Sequence, residues 1–145
     1  MADNYKDTVY RMSDSATVLH KNKKWFNTCY LAGYVAECYC KEILLLAEQE
    51  GYHFHSAGSV REFSHKLDKL KDEVNLIALV AGVASAYCID VQKECPTIYA
   101  NWNPNKRYQS NSHMFNQEVN ADKVMNEMQK LMKSIVQMEI DGVLV

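Results

Sequence analysis

The sequence predicts an all-α fold, an antiparallel up-and-down bundle of four to five helices in a single domain covering residues 1–145. Three observations predict it. Apolar residues recur at alternating spacings of four and three in three separate segments, the repeat that lines one face of a helix. A further segment, Trp25–Ala47, is almost uninterruptedly apolar and contains no proline. Both prolines, Pro96 and Pro104, fall in one stretch between helical patterns, and no convincing strand appears.

The first helix is expected from about Asn4 to His20, on the stripe Tyr5, Val9, Met12, Ala16 and Leu19. The polar break His20–Lys24 ends it, its lysines suiting a helix C-terminus, and the short gap to Trp25 predicts a helical hairpin. The second helix, Trp25 to about Glu50, is too apolar to have a free face and belongs at the centre. Gly51 suits the position just past its end. Ala32, Gly33 and Ala36 open its surface to close approach by a neighbour. After a loop over Tyr52–Ser59, Ser59 and Glu62 have the spacing of a capping box ahead of a stripe of Phe63, Leu67, Leu70, Val74 and Ile77. The apolar segment Leu76–Val91, with Ala78, Gly82 and Ala86 at one small residue per turn, is expected to be helical too, continuous with the third helix or kinked near Asn75. Cys95–Asn116 is the longest expected non-helical stretch, and such segments are often functional. The last helix is expected from an N-cap at Asn120, along Val124, Met128, Leu131, Ile135 and Met138, to Gly142.

A 145-residue chain can bury a core unaided, and 48% hydrophobic with 23% charged residues suits a compact helical protein. The net charge of −2 provides no global basic field for nucleic acid. Five cysteines, an odd number without a CxxC, suggest reduced buried thiols and a cytoplasmic location. Cys38 and Cys40 point about 200° apart on a helix and cannot share a metal. The N-terminus has no signal-peptide pattern. Glu37, Lys41 and Glu42 in the middle of the apolar run argue against a membrane span. No metal site and no cofactor are expected, and no glycine-rich phosphate loop or other established catalytic signature occurs.

Glu37 and Lys41 are the first candidate site residues. They lie one turn apart on a helix flanked by Val35, Ala36, Tyr39, Ile43 and Leu44, so each needs a partner. The best distant donor for Glu37 is Arg107, whose fork matches a carboxylate. Arg107 lies in the second cluster, Trp102–Tyr108: Trp102 is expected to anchor the loop, Pro104 to stiffen it, and Arg107 and Tyr108 to be presented at its end. Arg107 either staples the loop to Glu37 or contacts phosphate. His113 follows Arg107 at Arg-x5-His spacing, so that a histidine acid–base and an arginine phosphate clamp could cleave RNA. The alternative is an exposed loop histidine. His53 and His55 form an HxH pair taken as a surface feature, and His65 is expected to be a hydrogen-bonded structural histidine.

Tyr30–Leu44, with Glu37-x-x-x-Lys41 after a small-residue run, resembles the second helix of HEPN domains (higher eukaryotes and prokaryotes nucleotide-binding). His65-Lys66-Leu67-x-x-Leu70 resembles the family's His-Asp-Leu-x-x-Leu, with Lys66 in place of the acid. Asn101-Trp102-x-Pro104-x-x-Arg107-Tyr108 resembles its Arg-Tyr loop. The three matches come in family order. The resemblance implies an up-and-down bundle, commonly a homodimer, that associates with a nucleotide, with RNA or with a nucleotidyltransferase partner. Many HEPN proteins are metal-independent endoribonucleases of toxin–antitoxin or defence systems. In those the arginine is followed by Asn, Asp or His, where this chain has Tyr108. The resemblance therefore implies the non-catalytic branch, with an endoribonuclease using Arg107 and His113 as the alternative.

Overall fold

The structure is a computed structural model that describes residues 3–145, with the backbone alone at Lys106 and Arg107. The described residues are 71% helix with no strand, so the fold is all-α. Six α-helices are present among them: α1 (Tyr5–Lys21), α2 (Trp25–Gln49), α3 (Leu67–Ile77), α4 (Val91–Glu94), α5 (Pro96–Asn101) and α6 (Glu118–Ile140). They form a helical bundle around α2, which packs against α1, α3, α5 and α6.

The local chemistry sets the ends of these helices. Asn4 caps α1 by accepting the Asp7 N–H, and Lys23, at φ 61°, turns the chain sharply into α2. Gly51 stops α2 in the left-handed region that a residue without Cβ enters freely. The apolar character of α2 is spent on all sides: Ala32, Val35, Ala36, Tyr39, Cys40, Ile43 and Leu44 are wholly buried. Each large aliphatic among them contributes about 1.5–3 kcal/mol by leaving water. The stripes Val9–Ala16 of α1 and Val124, Met128, Leu131, Ile135 and Met138 of α6 close over it. No helix is long and apolar enough to cross a membrane among the described residues. All five cysteines are free; Cys88 is half-buried and the other four are buried.

Four boundaries differ from expectation. The third helix begins at Leu67, not after Ser59, because the Glu62 carboxylate takes the Gly58 N–H rather than completing a capping box. Residues Val60–Phe63 form a lone 3-10 turn, which Ser64 ends with a positive φ. The segment Leu76–Val91 does not continue as a helix beyond Ile77. The Glu50 carboxylate instead accepts the Val83 and Ala84 N–H groups, holding the segment in turns. A Cβ at Gly82 would lie 2.8 Å from Glu50 Oε2. Its composition is helical but its apolar residues have no second face to bury: Leu79 is 84% exposed. Cys95–Asn116 is less irregular than expected, since α5 starts on Pro96, whose missing N–H costs nothing at a first helical position. Finally, α6 begins at Glu118, two residues before the expected cap; the Asn120 side chain donates to the Met114 carbonyl.

Candidate functional site

Glu37 stands in the buried middle of α2. A carboxylate there costs several kcal/mol unless its lone pairs are met by charge and hydrogen bonds. Both oxygens are met. Oε2 lies 3.2 Å from Lys41 Nζ, one turn along the same helix. Oε1 accepts from His65 Nδ1 at 2.7 Å, across from the turn that precedes α3. Lys41 is also buried, with its ammonium 5.2 Å from the centroid of the Tyr5 ring.

The approach of His65 depends on its neighbour. Ser64 has φ 52° and ψ −129°, a region where a side chain is disfavoured by about 1–3 kcal/mol. This bend separates the turn Val60–Phe63, anchored by buried Phe63, from α3, and His65 leaves it toward α2. With Nδ1 against the carboxylate, the imidazole keeps its second nitrogen, Nε2, for another partner. Half of the side chain remains exposed.

Aromatic residues extend the cluster along α2. The Tyr34 ring meets His65 edge-on at 6.1 Å between centroids and Trp102 at 5.0 Å. The Tyr30 and Tyr34 hydroxyls are 3.1 Å apart, and the Tyr30 hydroxyl donates to the Pro104 carbonyl. The Trp102 Nε1–H donates to the Tyr30 carbonyl at 2.9 Å. The 3-10 turn Pro104–Tyr108 is thereby held beside α2. Tyr108 is mostly exposed. The expected Glu37–Arg107 contact rests on a side chain outside the described residues.

His113 packs against the first turn of α2, away from Glu37. Its Nδ1 accepts the Phe115 N–H at 3.1 Å, capping the turn Met114–Asn116. Its ring packs edge-on against Phe26 and Phe115. Phe26 lies on the first turn of α2, and Glu37 is eleven residues further on, roughly 16 Å along the axis.

Three other carboxylates, exposed Glu50 and buried Glu73 and Glu127, serve loops and were not singled out from sequence. Glu50 holds Val83 and Ala84 as described. Glu73 accepts the Tyr52 hydroxyl at 2.8 Å and the His55 N–H at 2.7 Å, and its Oε2 lies 3.1 Å from His55 Nδ1. Glu127 of α6 accepts the Thr97 and Ile98 N–H groups at the start of α5. In each case the acid is distant in sequence from the amides it meets, so spacing alone could not reveal the pairing. His55 is therefore tied to Glu73 rather than paired with His53, and no group of three metal-ligating side chains occurs among the described residues. Glu42 differs from these acids. It is buried, its Oε2 accepts the Val145 N–H at 3.2 Å, and its Oε1 has no partner. Burial pushes its pKa up to about 7. A cleft of about 170 Å³ lies between the end of α2 and residues Ile77–Ser85, but its one charged group, Glu50, is spent on the Val83–Ala84 turn.

Compared with known protein families, curated proteins and solved structures, the chain matches none of them.

Proposed function

We propose that this chain is a HEPN-type module of antiparallel helices that works by binding rather than by catalysis. In this reading it is a cytoplasmic homodimer that engages a nucleotide or RNA, or a nucleotidyltransferase partner that handles one. The observation that carries the non-catalytic reading is the position of His113. One ring nitrogen accepts the Phe115 amide and the half-buried ring packs edge-on against two phenylalanines. The three segments that carry the resemblance also converge: Glu37 and Lys41, His65, and the Trp102–Tyr108 turn are linked through Tyr34 and Tyr30.

The test is to incubate purified protein with single-stranded RNA in EDTA, beside His113→Ala, and to titrate both with labelled RNA and nucleotides. The expected result is intact RNA with saturable binding that survives the substitution. RNA cleavage that is lost in His113→Ala would overturn the reading in favour of the metal-independent endoribonuclease. Light scattering on the eluting protein checks the dimer, and a strict monomer would remove that part.

A further inference from the structure

We propose that His65, oriented by Glu37, is the ligand-contacting residue of a phosphate-binding site on the face between the start of α3 and the turn Pro104–Tyr108. This rests on the reading that the chain binds a nucleotide or RNA, and it names the group that would touch the phosphate.

A buried carboxylate in the central helix and a serine in a disfavoured backbone region are both unfavourable, and they meet at one contact, Glu37 to His65. Lys41 meets only one oxygen of Glu37, and α3 is anchored independently by buried Leu67 and Leu70. What the contact achieves is a fixed imidazole. Nδ1–H directed at an anion sets the tautomer and the ring plane. Nε2 is then held in a fixed direction on a half-exposed side chain, and in the protonated ring it is a charged donor.

The surroundings suit a phosphate. Lys66 follows His65 directly and is exposed, as is Lys69. Of the nearby acids, Glu62 is occupied by the Gly58 N–H, and Asp68 lies in the first turn of α3. The Tyr34 ring, edge-on to His65, and the Tyr30 hydroxyl continue the surface to the Pro104–Tyr108 turn. A phosphate accepts several charge-assisted hydrogen bonds at once, which suits an oriented imidazole with exposed Lys66 next to it in sequence. An aromatic edge beside it suits the base or sugar that a nucleotide carries.

The test is a histidine-selective 15N NMR titration of the full chain with inorganic phosphate, then with AMP. The expected result is a saturable shift of His65 Nε2, larger than that of His20, His53, His55 or His113. His65→Gln should weaken AMP binding by about tenfold or more, the scale of one charge-assisted bond. His113→Gln should leave it unchanged. Since His65 is half-exposed, His65→Gln is expected to fold, and a Lys66→Gln variant with intermediate loss gives a second arm independent of the Glu37 contact. If AMP or RNA binds but His65 does not shift and His65→Gln binds as tightly as wild type, this inference is wrong while the binding reading stands. If neither phosphate, AMP nor RNA binds at all, both fail.

Discussion

The indole of Trp102 lies directly on the backbone of Gly33: a Cβ built on that glycine would sit 2.0 Å from Trp102 Cδ1. Here the small residue on α2 makes room for a side chain from a distant loop. The same tryptophan donates to the Tyr30 carbonyl one turn away. Gly33→Ala is therefore expected to displace the ring and break that bond, at about 1–3 kcal/mol of overpacking. Urea unfolding, with tryptophan emission followed in a Trp25→Phe background, checks it. An unchanged midpoint with unshifted emission would contradict the packing described.

Glu127 joins α6 to the start of α5 through two backbone amides. Glu127→Gln retains one acceptor oxygen and places an amide group where two N–H donors converge. A loss of about 2 kcal/mol is expected, and more for Glu127→Ala, which leaves both amides unpaired. Equilibrium unfolding of the two variants gives the order. Equal stability of wild type and Glu127→Ala would show that the clamp contributes nothing.

Glu42 sets a pH dependence of defined sign. Its folded pKa of about 7 stands above the ordinary value of 4.5 because burial penalises the charged form. Between those values the folded state holds a proton that the unfolded state has released. Stability therefore falls as pH rises from about 4.5 through about 7, by at most about 1.4 kcal/mol per unit. Below this window the group contributes no dependence, and above it the full cost remains. Comparing urea midpoints of wild type and Glu42→Gln at pH 5 and pH 8 isolates the effect. The variant is expected to gain relative to wild type at pH 8, and parallel curves across the range would refute the assignment.

The cysteines should be unreactive in the folded protein. Burial pushes Cys29, Cys38, Cys88 and Cys95 up to about 12, and holds Cys40 well above the usual thiol value. At pH 8 a thiol at 12 is ionised in only about one molecule in ten thousand. Thiol labelling of native protein is expected to be slow at every site, with half-buried Cys88 first, and fast on unfolding. Rapid native labelling of Cys40 would show that the core opens.

How much of this was legible in the sequence depended on whether the deciding interaction was local. The stripes of α1 and α6 are repeats over neighbouring turns: α6 buries all five residues expected of it, while α1 buries Val9 and Ala16 and leaves Tyr5, Met12 and Leu19 half-buried. Glu37 and Lys41 were conspicuous as charges within apolar sequence for the same reason. The segment Leu76–Val91 misled because its composition suits a helix while its amides at Val83 and Ala84 belong to Glu50, more than thirty positions earlier. His65 could be expected to hydrogen-bond, but its partner depended on the bend at Ser64, which no propensity favours. The cap made by His113 for Phe115 is local, yet it was hidden by a spacing that equally suited chemistry.

The carboxylates that reach into loops carry one more consequence. Amide exchange is usually expected to separate helices, which are protected, from connections, which are not. In this protein the N–H groups of His55, Val83, Ala84, Thr97 and Ile98 are bonded to Glu73, Glu50 and Glu127. Slow-exchanging amides should therefore appear at loop and first-turn positions where regular secondary structure supplies no acceptor. They should lose that protection one acid at a time, as Glu50, Glu73 or Glu127 is replaced, while the interior of α2 keeps its own.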